Sequence, residues 1–100
     1  MVHGLMKKPE PKIDGANVLY WAWSGDQPFG WVGDPKDPEA SPIYGLAIAQ
    51  YDHQPPFYRF SCDADWETVQ DQDYDTLGDA IKLLPEQYRE VIAIWHEYKP

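Results

Sequence analysis

A single cysteine, Cys62, means that no disulfide can form within the chain. There is no run of about 18 apolar residues, so no membrane-spanning helix is expected. Basic residues are scarce, with eight Lys and Arg against seventeen Asp and Glu, for a formal net charge of −9. Three of the eight, Lys7, Lys8 and Lys12, fall in the first fourteen residues, so the remainder is the more acidic part. Such a surface repels phosphate backbones and anionic lipid, which argues against nucleic-acid or membrane partners and for a basic protein partner. No phosphate-binding loop, dinucleotide fingerprint or nucleophilic-serine motif is present. Lys7-Lys8 is followed by Pro9-Glu10-Pro11-Lys12 and not by an apolar signal core, so a cytoplasmic setting is expected.

What is abundant is aromatic: 15% of 100 residues, including five Trp. One domain is the expectation at this length. Residues 1–14 are Lys- and Pro-rich and predict a flexible tail, leaving 15–100 as a single α+β domain. The segments 18–23, 43–51 and 57–62 are rich in β-branched and aromatic residues and predict strands. On 43–51, Tyr44, Leu46 and Ile48 share one face and the small residues Gly45, Ala47 and Ala49 the other. That small stripe is the place for an overlying helix or for the floor of an aromatic-walled pocket. Asp52 to Pro56 predicts the turn that pairs 43–51 with 57–62. The Pro-rich stretch 34–42 predicts an exposed loop, and a turn at Asp63-Ala64-Asp65 leads to a short strand near 66–70.

Thr76-Leu-Gly-Asp79 has the hydroxyl–carboxylate spacing of a helix start. Apolar residues then recur at intervals of three and four from Leu77 to Trp95, interrupted at Pro85, which predicts helices over 76–84 and from 85 onward. The run Val91 to Trp95 also suits a final strand over 91–98. Leu84-Pro-Glu-Gln-Tyr-Arg-Glu-Val-Ile92 resembles the LPxxxREV helix that opens region 4 of bacterial sigma factors. The resemblance is short and includes none of the basic helix-turn-helix that follows in that family. It implies a helix over 86–95 and no DNA binding. The fold class expected is therefore α+β, a small antiparallel sheet of three to four strands with one or two C-terminal helices packed on one face.

Candidate chemistry is thin. Asp71-Gln-Asp-Tyr-Asp75 opens like a calcium loop, but Thr76 stands where glycine is required and Lys82 where the bidentate glutamate belongs. It reads instead as a solvated acidic turn before the helix. Asp63, Asp65 and Glu67 share a phase only if their segment is straight. Cys62 lies in phase with Tyr58 and Phe60 and reads as a small buried hydrophobe, not as a nucleophile served by His53 or His96. The three histidines have no ligand spacing. No catalytic residue, metal or cofactor is expected.

The function these residues suggest is protein binding, in the manner of an inhibitor, immunity protein or antitoxin. Asp63, Asp65, Asp71, Asp73 and Asp75 would steer a basic partner, and Trp21, Trp23 and Trp31 would anchor it. Two other readings stand beside it. One is a small-ligand binder or enzyme with a pocket over Gly45, Ala47 and Ala49. The other is a homo-oligomeric structural protein, a homodimer meeting at an apolar edge over Val18–Trp23.

Overall fold

In a computed structural model of the chain, residues 7–99 are described. The chain opens with β1 (Lys12–Ile13) and β2 (Ala16–Trp23), joined by Asp14-Gly15. Both turn residues have positive φ, 50° and 83°, which is the left-handed pair that a two-residue hairpin turn demands. After β3 (Gly30–Val32) and β4 (Ser41–Ile43) comes β5 (Gly45–Tyr51). It enters β6 (Gln54–Cys62) through Asp52-His53, again both left-handed at 53° and 56°. The elements that follow are β7 (Thr68–Tyr74), α1 (Leu77–Lys82), a 3-10 turn (Glu86–Tyr88) and β8 (His96–Glu97).

The main sheet is antiparallel with the order β1-β2-β5-β6-β7, and β8 pairs with β2 beside β1. Strands β3 and β4 form a separate two-stranded ribbon. Register shifts fall between Val18 and Tyr20, between Ala49 and Tyr51, and between Ser61 and Cys62. Each bulge bends its strand and adds twist, which is how the sheet curls.

This corrects the expected α+β class. The molecule is predominantly β, a curled sheet of five to six strands, with one short helix and a 3-10 turn in place of the C-terminal helices. The helix of 76–84 stops early because Leu83 leaves helical geometry (φ −88°, ψ 54°). Beyond Pro85 the chain makes one 3-10 turn. There the Gln87 carbonyl presses against Gly30, so closely that a Cβ on Gly30 would lie 1.5 Å from the oxygen. Only glycine permits that approach. From there the chain runs on without helix. Val91, Ala93 and Trp95 pack inward while Ile92 is 84% exposed, a period of two that a helix cannot give. The helical likeness of 84–92 is thus a likeness of sequence alone.

Two further expectations change. The acidic turn foreseen at 71–75 belongs to β7 as far as Tyr74, paired along β6 from Phe57↔Tyr74 to Cys62↔Thr68. Of the foreseen tail, residues 1–6 lie outside the described residues. Within the rest, Lys12 and Ile13 pair with Asn17 and Ala16, Pro9 is buried, and Ile13 is a core residue.

Each face of the sheet carries core. On one, Trp21, Ala47, Ala49, Phe60 and Cys62 pack with Ile13, Ala16 and Val18, and Trp23, Tyr58, Trp66 and Tyr98 close around them. On the other, Ala22, Leu46 and Ile48 meet Phe29, Ile43, Tyr88 and Ala80. Among the described residues no helix is long and apolar enough to cross a membrane.

Candidate functional site

The small stripe of β5 is not an open floor. Ala47 and Ala49 are fully buried, and the Trp66 indole lies so close over Gly45 that a Cβ there would meet ring atoms at 2.6–2.8 Å. The aromatic wall foreseen for a pocket has closed down to become the core. Trp66 reaches this place with a left-handed backbone (φ 62°), and its indole N–H donates to the Lys7 carbonyl at 2.9 Å.

Trp21, foreseen as an anchor, is a core residue, 7% exposed, with its ring 4.9 Å from that of His96. The edge foreseen at Val18–Trp23 is likewise occupied. β5 pairs with one side of β2, while β1 and β8 share the other. Trp23 is half-buried, its ring 5.6 Å from Trp66, with the Lys7 ammonium 5.9 Å above it. Trp31 is half-buried at the far end, where it lines an open cleft of about 450 Å³ with Gln27, Gln87 and Glu90. The three tryptophans therefore do not form one anchor surface.

The aspartates divide in two. Asp63 is taken up locally, its Oδ1 accepting from the N–H groups of Asp65 (2.8 Å) and Glu67 (3.0 Å) in the β6–β7 turn. Asp65 is solvent-facing and 3.7 Å from the Lys7 ammonium. Asp71 and Asp73 belong together on β7, the outer strand of the sheet on that side, and Asp75 follows just past its end. All three are exposed, and among the described residues none forms a salt bridge.

Register places Asp71 beside Phe60 and Asp73 beside Tyr58, on one face of the sheet. Tyr58 stands edge-on to the exposed Tyr51 at 5.3 Å. The result is a pair of carboxylates on an open strand edge, with the half-buried Tyr58 beside Asp73 and Tyr51 next to Tyr58 one strand further in, chemistry that accepts Lys or Arg side chains through charge and a ring. Reading residues one by one missed the tyrosines. Their signal was the alternation of 57–62, which put Tyr58 in phase with Phe60 and so read as core.

Chemical reactivity is low elsewhere. Burial pushes the Cys62 thiol up to about 12, so it has no thiolate to offer at neutral pH. Arg59, 2% exposed, has no carboxylate partner among the described residues, and desolvation lowers its pKa. Its Nη1 donates instead to the Leu83 carbonyl (3.0 Å) and, at longer range, to that of Ala80 (3.4 Å), and the guanidinium lies 5.0 Å from the Tyr74 ring. It therefore closes the C-terminus of α1, where helix carbonyls present negative charge. Burial also raises the Tyr88 pKa, and its hydroxyl donates to Gln70 Oε1 at 3.0 Å. Among the described residues no group of three His, Cys, Asp or Glu is placed to hold a metal ion.

Comparison with known proteins finds no matching family model, no matching curated protein and no matching solved structure. The narrower classes foreseen from sequence, inhibitor and immunity protein, accordingly have no support.

Proposed function

We propose that the chain is an acidic protein-binding module that presents β7 to a basic segment of another protein. The observation that carries this reading is the exposed run Gln70–Asp73 on an edge strand, with Asp71 and Asp73 on the face that Tyr58 and Tyr51 share. Carboxylates on an edge strand also guard a sheet against unwanted pairing, and both roles require them to face solvent. Binding adds two demands: long-range attraction that salt weakens, and ring contacts that salt does not. Cytoplasmic residence goes with this reading, since the one cysteine is free and buried.

Quantitative capture from native extract, repeated at low and high salt, tests the proposal. The chain should retain a partner at low salt, release much of it at high salt, and lose most of it when Asp71 and Asp73 are both changed to Lys. A captured protein whose yield follows neither salt nor the double reversal would remove β7 as the binding edge.

A further inference from the structure

A groove of about 430 Å³ lies between the end of α1 and the segment 88–95. Ile81 and Leu84 line it from the α1 side, and Tyr88, Val91, Ala93 and Trp95 from the segment beyond Pro85. Trp95 packs against both core clusters of this face, one around Phe29 and Tyr88 and one around Ile48 and Ala80. The groove is therefore an apolar recess continuous with the core. Its volume is that of a small-ligand pocket, for which about 300–1,000 Å³ is usual.

Two charged side chains line this recess, Lys82 and Arg89, and both are cations. Stems of such residues lie along apolar walls and hold their charged heads at the rim. No Asp or Glu lines the groove, and among the described residues neither cation has a salt-bridge partner. With seventeen acidic residues against eight basic ones, most clefts of this chain should carry at least one carboxylate. This one reverses the charge of its surroundings.

Backbone dipoles do not cancel that charge. Carbonyls at the C-terminus of a helix repel anions, but here they are occupied. The Leu83 carbonyl accepts from Arg59 (3.0 Å) and from the Tyr74 hydroxyl (3.3 Å), and the Leu84 carbonyl accepts from Arg89 Nη2 (3.1 Å). The last bond holds the Arg89 guanidinium at the groove and leaves its other N–H groups for a ligand. Arg59, buried and acting by its charge on Tyr88, adds positive potential to the same wall.

We infer that this groove binds a single-tailed amphiphile with an anionic head, such as a fatty acid, its tail on the apolar wall and its carboxylate on Lys82 and Arg89. Both parts are needed. A cation is repelled by the rim, and a small anion without a tail meets the chain's overall charge of −9 with nothing to hold it. The site shares no residue with β7 and does not depend on it.

Titration calorimetry of the full chain with decanoate, kept below its micelle concentration, tests this, with decanol and decyltrimethylammonium as neutral and cationic counterparts. Decanoate should saturate at one per chain, decanol should bind severalfold more weakly, and decyltrimethylammonium should not perturb the groove. Lys82→Gln and Arg89→Gln, both at exposed positions, should each weaken decanoate by about three- to tenfold and leave decanol unchanged. Ala93→Phe, which fills the recess, should weaken both, with thermal melting as the check on folding. Amide shifts on adding decanoate should concentrate in residues 81–95, a readout that stands whether or not the filled variant folds. Absence of saturable decanoate binding overturns the inference, including the case in which the groove takes an acidic peptide instead. So does decanoate binding that both charge substitutions leave unchanged, or amide shifts that fall elsewhere.

Discussion

Trp66 occupies the space that a side chain at Gly45 would need: a Cβ there would sit 2.6 Å from the Trp66 Cζ3 atom. Gly45 shows no left-handed φ, so the requirement is for size and not for backbone freedom. Gly45→Ala should therefore cost about 1–3 kcal/mol by overpacking. Trp66→Leu, which gives up indole contacts with Trp23 and the hydrogen bond to Lys7, should itself be destabilising. In the double variant the alanine penalty should shrink, giving a coupling of about 0.5–3 kcal/mol in a denaturation cycle. Additive effects would mean that the indole does not rest on Gly45.

Arg59 should matter through α1. Arg59→Met keeps the apolar contacts of the stem but takes the guanidinium donor from the Leu83 carbonyl, which keeps only the longer bond from the Tyr74 hydroxyl (3.3 Å), and removes the cation from the Tyr74 ring. A loss of about 1–3 kcal/mol is expected, with early fraying of 77–82 visible as fast amide exchange there. Arg59→Lys retains the charge but not the forked reach and should fall between the two.

Stability should decline in alkali, and the sign follows from Cys62. Its folded pKa, about 12, lies above the ordinary thiol value of 9.0, so the native state holds a proton that the unfolded chain releases. The associated stability is complete below about pH 9 and is lost as pH rises toward 12, at up to ~1.4 kcal/mol per pH unit. Tyr88 is raised as well and adds loss of the same sign only above pH 10. Urea midpoints measured between pH 9 and 10 should therefore fall for the wild type and stay flatter for Cys62→Ala. Thiol reagents at neutral pH should modify Cys62 only on unfolding.

The Asp52-His53 turn has room for improvement. Both residues are left-handed and exposed, yet the second is not glycine. His53→Gly removes a Cβ from a position where it is disfavoured and should stabilise the fold by about 0.5–1 kcal/mol, read from thermal or chemical melting.

What the sequence disclosed, and what it withheld, follows from where each segment sits. Residues 18–23, 45–50 and 57–62 lie in the middle of the sheet, so their composition announced strands, although the strand expected over 43–51 breaks at Tyr44 and leaves Ile43 in the β3–β4 ribbon. The Thr76 hydroxyl accepts from the Asp79 N–H at 3.1 Å, as the spacing of those two residues foretold. β7 was misread because four of its seven residues face water, which leaves no apolar alternation to detect. The β1–β2 hairpin had a legible signal in Asp14-Gly15, outweighed by the Lys- and Pro-rich composition around it. Val91–Trp95 satisfies both helical and strand periods, and the contact between Gly30 and the Gln87 carbonyl helps fix the path that decides between them. At the candidate site the exposure of Asp71, Asp73 and Asp75 could be inferred from charge alone. Which tryptophans lie inside could not, because composition counts rings without placing them.

The strip of β2 opposite β5 is filled by residues from far apart in the chain: Lys12 and Ile13 arrive early, His96 and Glu97 late, and the Tyr98 hydroxyl donates to the Pro9 carbonyl across them. The β5–β6 and β6–β7 ladders close over short turns, whereas β2–β8 must join Tyr20 to Glu97. Long closures are slow, so during synthesis the flank of Tyr20 and Trp21 stays bare until His96 and Glu97 have emerged and folded back. During that interval it is the chain's most vulnerable surface for mispairing with a neighbouring nascent copy.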